Sequence, residues 1–270
     1  MMRLDLNMLC RAAGSLIADP PADDAEVGQR FRALMAALVD FDHVVVFANR
    51  GEERPIELFS TFNPQEHVIF VSLYQDGAYL LDPFHHNARD SRAGVFRMRE
   101  LAPDRFFAGE YYRTYYIKTG LAEEIGFFVP DDDGVTIVLS LMRKEETGAF
   151  SAAEFALLQQ AEPLVNAMVR QFWGRTGERF DAAKADARHH ARRQGGEVPD
   201  RIWRSLNLTS REAAIIDLVL QGHSSESIGL RLSISTGTVK VHRRNVYRKL
   251  GISSQTQLLS LYLGNLKSPA

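Results

Sequence analysis

Apolar side chains recur every three or four positions in residues 1–40, where Val27, Phe31, Leu34, Met35 and Leu38 make one stripe and Asp23 or Asp24 can cap the segment that carries it. The period then changes. Residues 43–47 and 56–61 are β-rich runs separated by the turn signal Asn49-Arg50-Gly51, which predicts a hairpin. Asn63-Pro64 predicts a helix start, with asparagine as cap and proline in the first turn, running to about Tyr74 and stopping near Asp76-Gly77. Residues 103–118 read as a mostly helical stretch crowded with aromatics and ended by Thr119-Gly120. Residues 124–129 and 135–142 form the clearest hairpin, joined by Pro130 and the turn Asp131-Asp132-Asp133-Gly134. Ser151 and Glu154 are spaced as a capping box that opens a long helix to about Trp173. The succession predicts an α+β domain over residues 1–173, an antiparallel sheet sandwiched by helices.

The pattern weakens over residues 174–200, where Gly, Ala, Arg and Asp dominate and large apolar side chains are almost absent. That stretch reads as a solvated linker, partly helical at most through 182–193. Residues 201–270 then predict an all-α module of four short helices. Thr209 and Glu212 form a second capping box, and Ile215, Ile216, Val219 and Leu220 supply a stripe that ends at Gln221-Gly222. Ser224 or Ser225 starts the next helix, Ser235 caps the third and Gly251 terminates it. On that third helix Val239, Val246 and Leu250 form a thin apolar seam, while Lys240, His242, Arg243, Arg244, Asn245, Arg248 and Lys249 cover the remainder without an acid among them.

Charge sharpens this division. The net charge of the 270 residues is only −2, but residues 201–270 hold ten Lys/Arg against three acids while the rest of the chain is strongly acidic. A basic helix with a narrow apolar seam suits the major groove of DNA, about 12 Å wide, so a nucleic-acid module joined to an acidic controller is expected. The apolar runs are far too short to cross a bilayer. The first residues lack a secretory core-and-cleavage pattern, and the chain is expected in the cytoplasm with no membrane partner. Cys10 is the only cysteine, which excludes an internal disulfide and a thiolate metal cage. No phosphate loop, nucleophile elbow or His-Glu-x-x-His occurs, and Asp131-Asp132-Asp133-Gly134 lacks the downstream glutamate of a calcium loop. No catalytic residue, metal site or cofactor is therefore expected. A phosphoreceiver domain is also disfavoured, since the chain opens with helices and the apolar strand 44–48 ends in Asn49-Arg50 rather than an aspartate.

The residues Leu208-Thr209-x-Arg211-Glu212, Ile228, Leu232-x-Ile234-Ser235-x-x-Thr238-Val239-Lys240-x-His242 and Lys249-Leu250-Gly251-Ile252 closely resemble the LuxR/FixJ-type helix-turn-helix over residues 205–266. Gly229 stands where that family usually has alanine, a change expected to loosen the second helix by ~1 kcal/mol. The resemblance implies that Lys240, Val241 and Arg244 reach base edges and that Thr238, His242 and Arg243 lie near phosphates of double-stranded DNA. It also implies that Leu258, Leu259 and Tyr262 fall on the last helix, which commonly pairs two such modules, so that a homodimer binds a pseudo-palindromic site.

The controlling domain carries a concentration of aromatics between Tyr74 and Phe128. Tyr74, Tyr79, Phe84, Phe96, Tyr111 and Tyr115 are the candidate walls of a small-molecule pocket. Asp82 is the candidate polar anchor: a buried carboxylate needs a partner, and a ligand amine or amide N–H is one, although Asp82-Pro83 is equally a helix-capping pair. Asp82-Pro83-Phe84, Arg89, Val95-Phe96, Gly120-Leu121, Gly126, Pro130 and Leu139-Ser140 resemble the skeleton of the autoinducer-binding (PAS/GAF-like) domains that precede LuxR-type modules, and in that family the matching aspartate accepts the ligand's amide N–H. Both tryptophans, Trp173 and Trp203, lie outside this skeleton, and three extra residues separate Gly120-Leu121 from Gly126. The expected effector is thus an amine-containing or amphiphilic metabolite rather than a standard acyl-homoserine lactone. The alternative is a domain that only dimerises or docks a protein partner, with no small-molecule ligand.

Overall fold

The computed structural model describes residues 5–18, 20–113, 120–190 and 198–266. The first apolar stripes become helices α1 (Leu6–Ala18) and α2 (Asp24–Ala36), which pack together; Asp23 is the N-cap of α2 and accepts the Glu26 amide at 2.9 Å. Strands β1 (His43–Arg50), β2 (Ile56–Ser60), β3 (Gly94–Arg97), β4 (Leu121–Pro130) and β5 (Val135–Lys144) form one antiparallel sheet in the order β2-β1-β5-β4-β3. Strand β1 is apolar at nearly every position because both of its faces are covered. Val44, Val46 and Ala48 join Phe31, Leu34 and Trp173 in one core, whereas Val45 and Phe47 join Phe70, Tyr74 and Phe84 in the other.

The second face is covered by short helical pieces. Helix α3 (Pro64–His67), capped by Asn63, runs through a π-helical turn (Val68–Ser72) into α4 (Leu73–Gln75), followed by α5 (Pro83–Arg89) and α6 (Met98–Leu101). The first face takes the long α7 (Ala152–Trp173), opened by the Ser151/Glu154 capping box. Arg143 on β5 pins its first turn through Glu154 at 2.6 Å, and that bond holds the Glu154 carboxyl down at about 2.

The structure departs from the sequence expectation in four places. Strand β3 was not predicted, since four residues give too short a period to register. The aromatic stretch 103–118 is not a continuous helix: a 3-10 turn at Phe106–Ala108 precedes a helical turn that begins at Glu110, and residues 114–119 lie outside the described residues. The stretch expected as a solvated linker carries α8 (Gly177–His190), whose Phe180 is buried in the first-face core, and the Arg175 N–H is held by Asp131 at 3.0 Å. Phe180 and the ion pairs Arg50–Asp181 at 2.9 Å and Lys184–Glu53 at 2.9 Å dock this polar helix. Residues 191–197 of that stretch lie outside the described residues.

The C-terminal part holds one more helix than the four expected. Helix α9 (Val198–Ser205) precedes α10 (Ser210–Leu220), α11 (Ser225–Leu232), α12 (Thr236–Leu250) and α13 (Gln255–Leu266). Thr209, Ser224 and Ser235 cap α10, α11 and α12, and Gly251 closes α12. Trp203 of α9 stacks on Tyr262 of α13 with centroids 5.5 Å apart and donates its indole N–H to Asp217. Leu258, Leu259 and Tyr262 stand on α13 and pack into this core, 0%, 2% and 1% exposed.

Candidate functional site

Two sites emerge, one in each half. In the C-terminal half Val239 and Val246 anchor α12 in the core, which turns the rest of the helix outward. Thr238 lies in the first turn and its N–H bonds the Ser235 cap at 3.0 Å. Val241 is 44% exposed, a large value for an apolar residue on an ordered helix, and the Arg243 guanidinium lies over the Tyr247 ring, 5.2 Å from its centroid. Lys240, Arg243, Arg244 and Arg248 line a cleft of about 790 Å³ together with Ser224, Ser225 and Arg105. Thr238, Val241 and His242 stand outside that cleft's lining, on the same helix. Lys249 belongs elsewhere, paired with Glu212 at 3.0 Å on the α10 side. The cleft is wide, polar and positively charged, the features of a surface that meets phosphates.

In the N-terminal half a cavity of about 40 Å³ lies between the second sheet face and the short helices. Its walls are Val45, Phe47, Phe70, Tyr74, Phe84, Leu121, Val138 and Met142, and its polar groups are Asp82, Glu124 and Ser140. The two oxygens of Asp82 have different partners. Oδ1 caps α5 by accepting the Phe84 amide at 3.0 Å, and Oδ2 accepts the Tyr74 hydroxyl at 2.7 Å on the cavity side. Asp82 is 4% exposed and forms no ion pair among the described residues. Burial pushes its carboxyl up to about 6, against the pull of hydrogen bonds from Tyr74 and the Phe84 and His85 amides.

Of the other aromatics singled out from the sequence, Tyr74 and Phe84 line this cavity. Tyr79 is buried beside it with its ring edge on His85 and its hydroxyl 3.4 Å from the Glu52 carbonyl. Phe96 packs on Phe128 under the Arg92 guanidinium, and Tyr111 packs on Phe106. Tyr115 lies outside the described residues. Sequence reasoning missed Phe70, on the π-helical turn, and the strand residues Val45, Phe47, Leu121, Glu124, Val138, Ser140 and Met142. The strand residues sit where both faces are covered, so no period betrays which side chain faces which core. A second, outer chamber of about 420 Å³ shares Leu121 and Glu124 with the first and adds Met98, Phe107 and Tyr112.

No group of three or more potential metal ligands occurs among the described residues, and no described helix is long and apolar enough to cross a membrane.

Residues 206–262 match the family model of bacterial regulatory proteins of the luxR family. The chain is 33% identical over 174 residues to the HTH-type transcriptional regulator in the exeN 3′ region of Aeromonas salmonicida, a match covering 64% of this chain and 88% of that one. It is 42% identical over 57 residues to the HTH-type transcriptional regulator MalT of Klebsiella pneumoniae, which covers 21% of this chain but only 6% of MalT. Among solved structures, the VqsR LBD domain from Pseudomonas aeruginosa superposes with a TM-score of 0.51 at 23% identity, covering 60% of this chain and 92% of that one. That likeness is one of fold.

Proposed function

The chain belongs to the luxR family of bacterial regulatory proteins, a family of helix-turn-helix transcriptional regulators and not of enzymes, and from that membership we propose that it is a one-component regulator controlled by a small molecule. In this reading α12 enters the major groove of a pseudo-palindromic operator in the cytoplasm. Lys240, Val241 and Arg244 reach base edges, while Thr238, His242 and Arg243 position the helix on phosphates. A homodimer supplies the second half-site.

The observation that carries the sensing half is the cavity with Asp82 in its wall. A carboxylate that is 4% exposed without an ion pair among the described residues is stable only with hydrogen bonds or a cationic partner. A volume near 40 Å³ admits a small head group, since a single water needs roughly 10–15 Å³. The outer chamber, with Met98, Phe107 and Tyr112, suits an apolar body. The ligand best matched to both is an amphiphile with an amine or amide N–H at its head.

Thermal shift of the full chain against a panel of primary amines and N-acyl amines tests this. A binder present at about a hundred times its dissociation constant adds ~2.7 kcal/mol to stability. Asp82→Asn is expected to abolish the response to the amines while leaving the unliganded protein folded. A panel without any response, joined to an unchanged protein after extraction and mass spectrometry, would favour a domain that only dimerises or docks a protein.

A further inference from the structure

A short segment of the N-terminal domain reaches across to the helix-turn-helix, and its chemistry bears on the DNA face. The Asp104 carboxylate accepts the backbone N–H of Ser224 at 3.0 Å, and the Arg105 N–H donates to the Gly222 carbonyl at 2.9 Å. Gly222, at φ +94°, is pressed so close that a Cβ there would lie 2.6 Å from the Phe106 Cα. Phe106 itself is 1% exposed. The joint is therefore made by backbone bonds and close packing rather than by long surface side chains.

Ser224 is the N-cap of α11, so the carboxylate sits at the positive end of that helix. Burial opposes its ionisation, but hydrogen bonds from the Ser224 hydroxyl and amide keep the carboxyl below its usual range. The same first turn of α11 is one wall of the basic cleft, facing Lys240, Arg243 and Arg244 of α12, and Arg105 stands in that cleft too. In a helix-turn-helix the helix before the recognition helix crosses the DNA backbone. Amides at a helix N-terminus are the groups that receive a phosphate there. Here such an amide already holds an anion from the same chain.

We propose that residues 103–106 are an intramolecular latch: Asp104 occupies the α11 amide that a DNA phosphate requires, so the conformation in this structure and the DNA-bound one exclude each other. Two anions cannot share one N–H, and the segment carrying Asp104 fills the approach to α11. Release must come before engagement. The segment continues directly into Phe107 and Tyr112, which wall the outer chamber, so the latch lies next to the proposed ligand site but does not depend on it.

The test compares the full-length protein with Asp104→Ala and Asp104→Glu for binding to a random-sequence DNA duplex at low salt. Glutamate keeps the charge and misplaces the carboxylate. Both variants are expected to bind about fivefold or more tightly than wild type, the scale of a typical coupling between two sites. Tightening confined to Asp104→Ala is a charge effect and overturns the latch, as does equal or weaker binding by both. A covalent lock reads the other direction. With Cys10, the lone native thiol, replaced by serine, Asp104→Cys and Ser224→Cys are oxidised to a disulfide. The locked protein is expected to lose DNA binding by about tenfold or more and to regain it on reduction; a locked protein that binds like the reduced one overturns the proposal. If wild type binds DNA and every variant matches it, the latch alone falls. If none binds, the latch and the DNA reading fall together.

Discussion

His85 shows how one buried side chain sets a property of the whole protein. It is 1% exposed, and its Nδ1 donates to the side-chain Oδ1 of Asn49 at 3.0 Å, an orientation fixed because Nδ2 of Asn49 faces the Phe47 and Thr136 carbonyls. Burial holds its pKa down at about 3, and that of its neighbour His86 at about 4. The unfolded chain binds a proton at each near 6.5 and the folded one does not, so both residues stabilise the fold above that pH and withdraw stability as the pH falls below it. Asp82 acts in the opposite sense. Its carboxyl is raised to about 6, so the cost of burying its charge is relieved as the pH falls through that value. Between pH 7 and 5 each histidine withdraws about 2 kcal/mol and Asp82 returns about 1 kcal/mol, at roughly 1.4 kcal/mol per pH unit. Denaturant unfolding at these two pH values is expected to show a net loss, and His85→Phe to make it shallower. A variant with the wild-type slope would remove His85 from the account.

Among the elements, α11 carries a reversal. Helix propensity alone says that Gly229→Ala should gain about 1 kcal/mol. The structure gives the other sign, because the turn into α12 folds back over that residue and a Cβ would lie 2.7 Å from the Ile234 carbonyl oxygen. Overpacking against backbone costs about 1–3 kcal/mol, so Gly229→Ala is expected to lower stability by about 1 kcal/mol, read from the Trp203 fluorescence transition in denaturant. A stabilised variant would mean that the turn relaxes freely. This case marks where the sequence was legible. Caps are local, and Asp23, Asn63, Ser151, Thr209, Ser224 and Ser235 stand in the structure where their spacing put them. Close approaches are not local. Neither Ile234 over Gly229 nor Phe106 against Gly222 leaves a trace in the order of residues. The cavity was legible only in small part for the same reason: Asp82, Tyr74 and Phe84 announce themselves by type, whereas Val138 and Met142 look like any strand residue until the sheet is covered.

At the scale of the whole molecule, the two tryptophans that fall outside the pocket each centre one core. Trp173 is 1% exposed and stacks on Phe31 in the first-face core. Trp203 is fully buried against Tyr262 in the helix-turn-helix. The second-face core of the N-terminal domain and the core of the helix-turn-helix are one continuous apolar cluster, with Phe106 at the joint and the Arg105–Gly222 bond beside it. Covering that joint stabilises both halves in the closed form, which makes their unfolding a coupled event although the sequence divides them by composition and charge. Trp173→Phe and Trp203→Phe leave one fluorescent reporter in each half. Both are expected to give the same denaturation midpoint. Adding Phe106→Ala, a truncation that costs about 3–5 kcal/mol in a packed core, removes the joint and is expected to separate the two midpoints. Midpoints already apart in the single-tryptophan proteins, or still coincident after Phe106→Ala, would show that the halves fold without reference to each other and that the contact across Gly222 carries no energy.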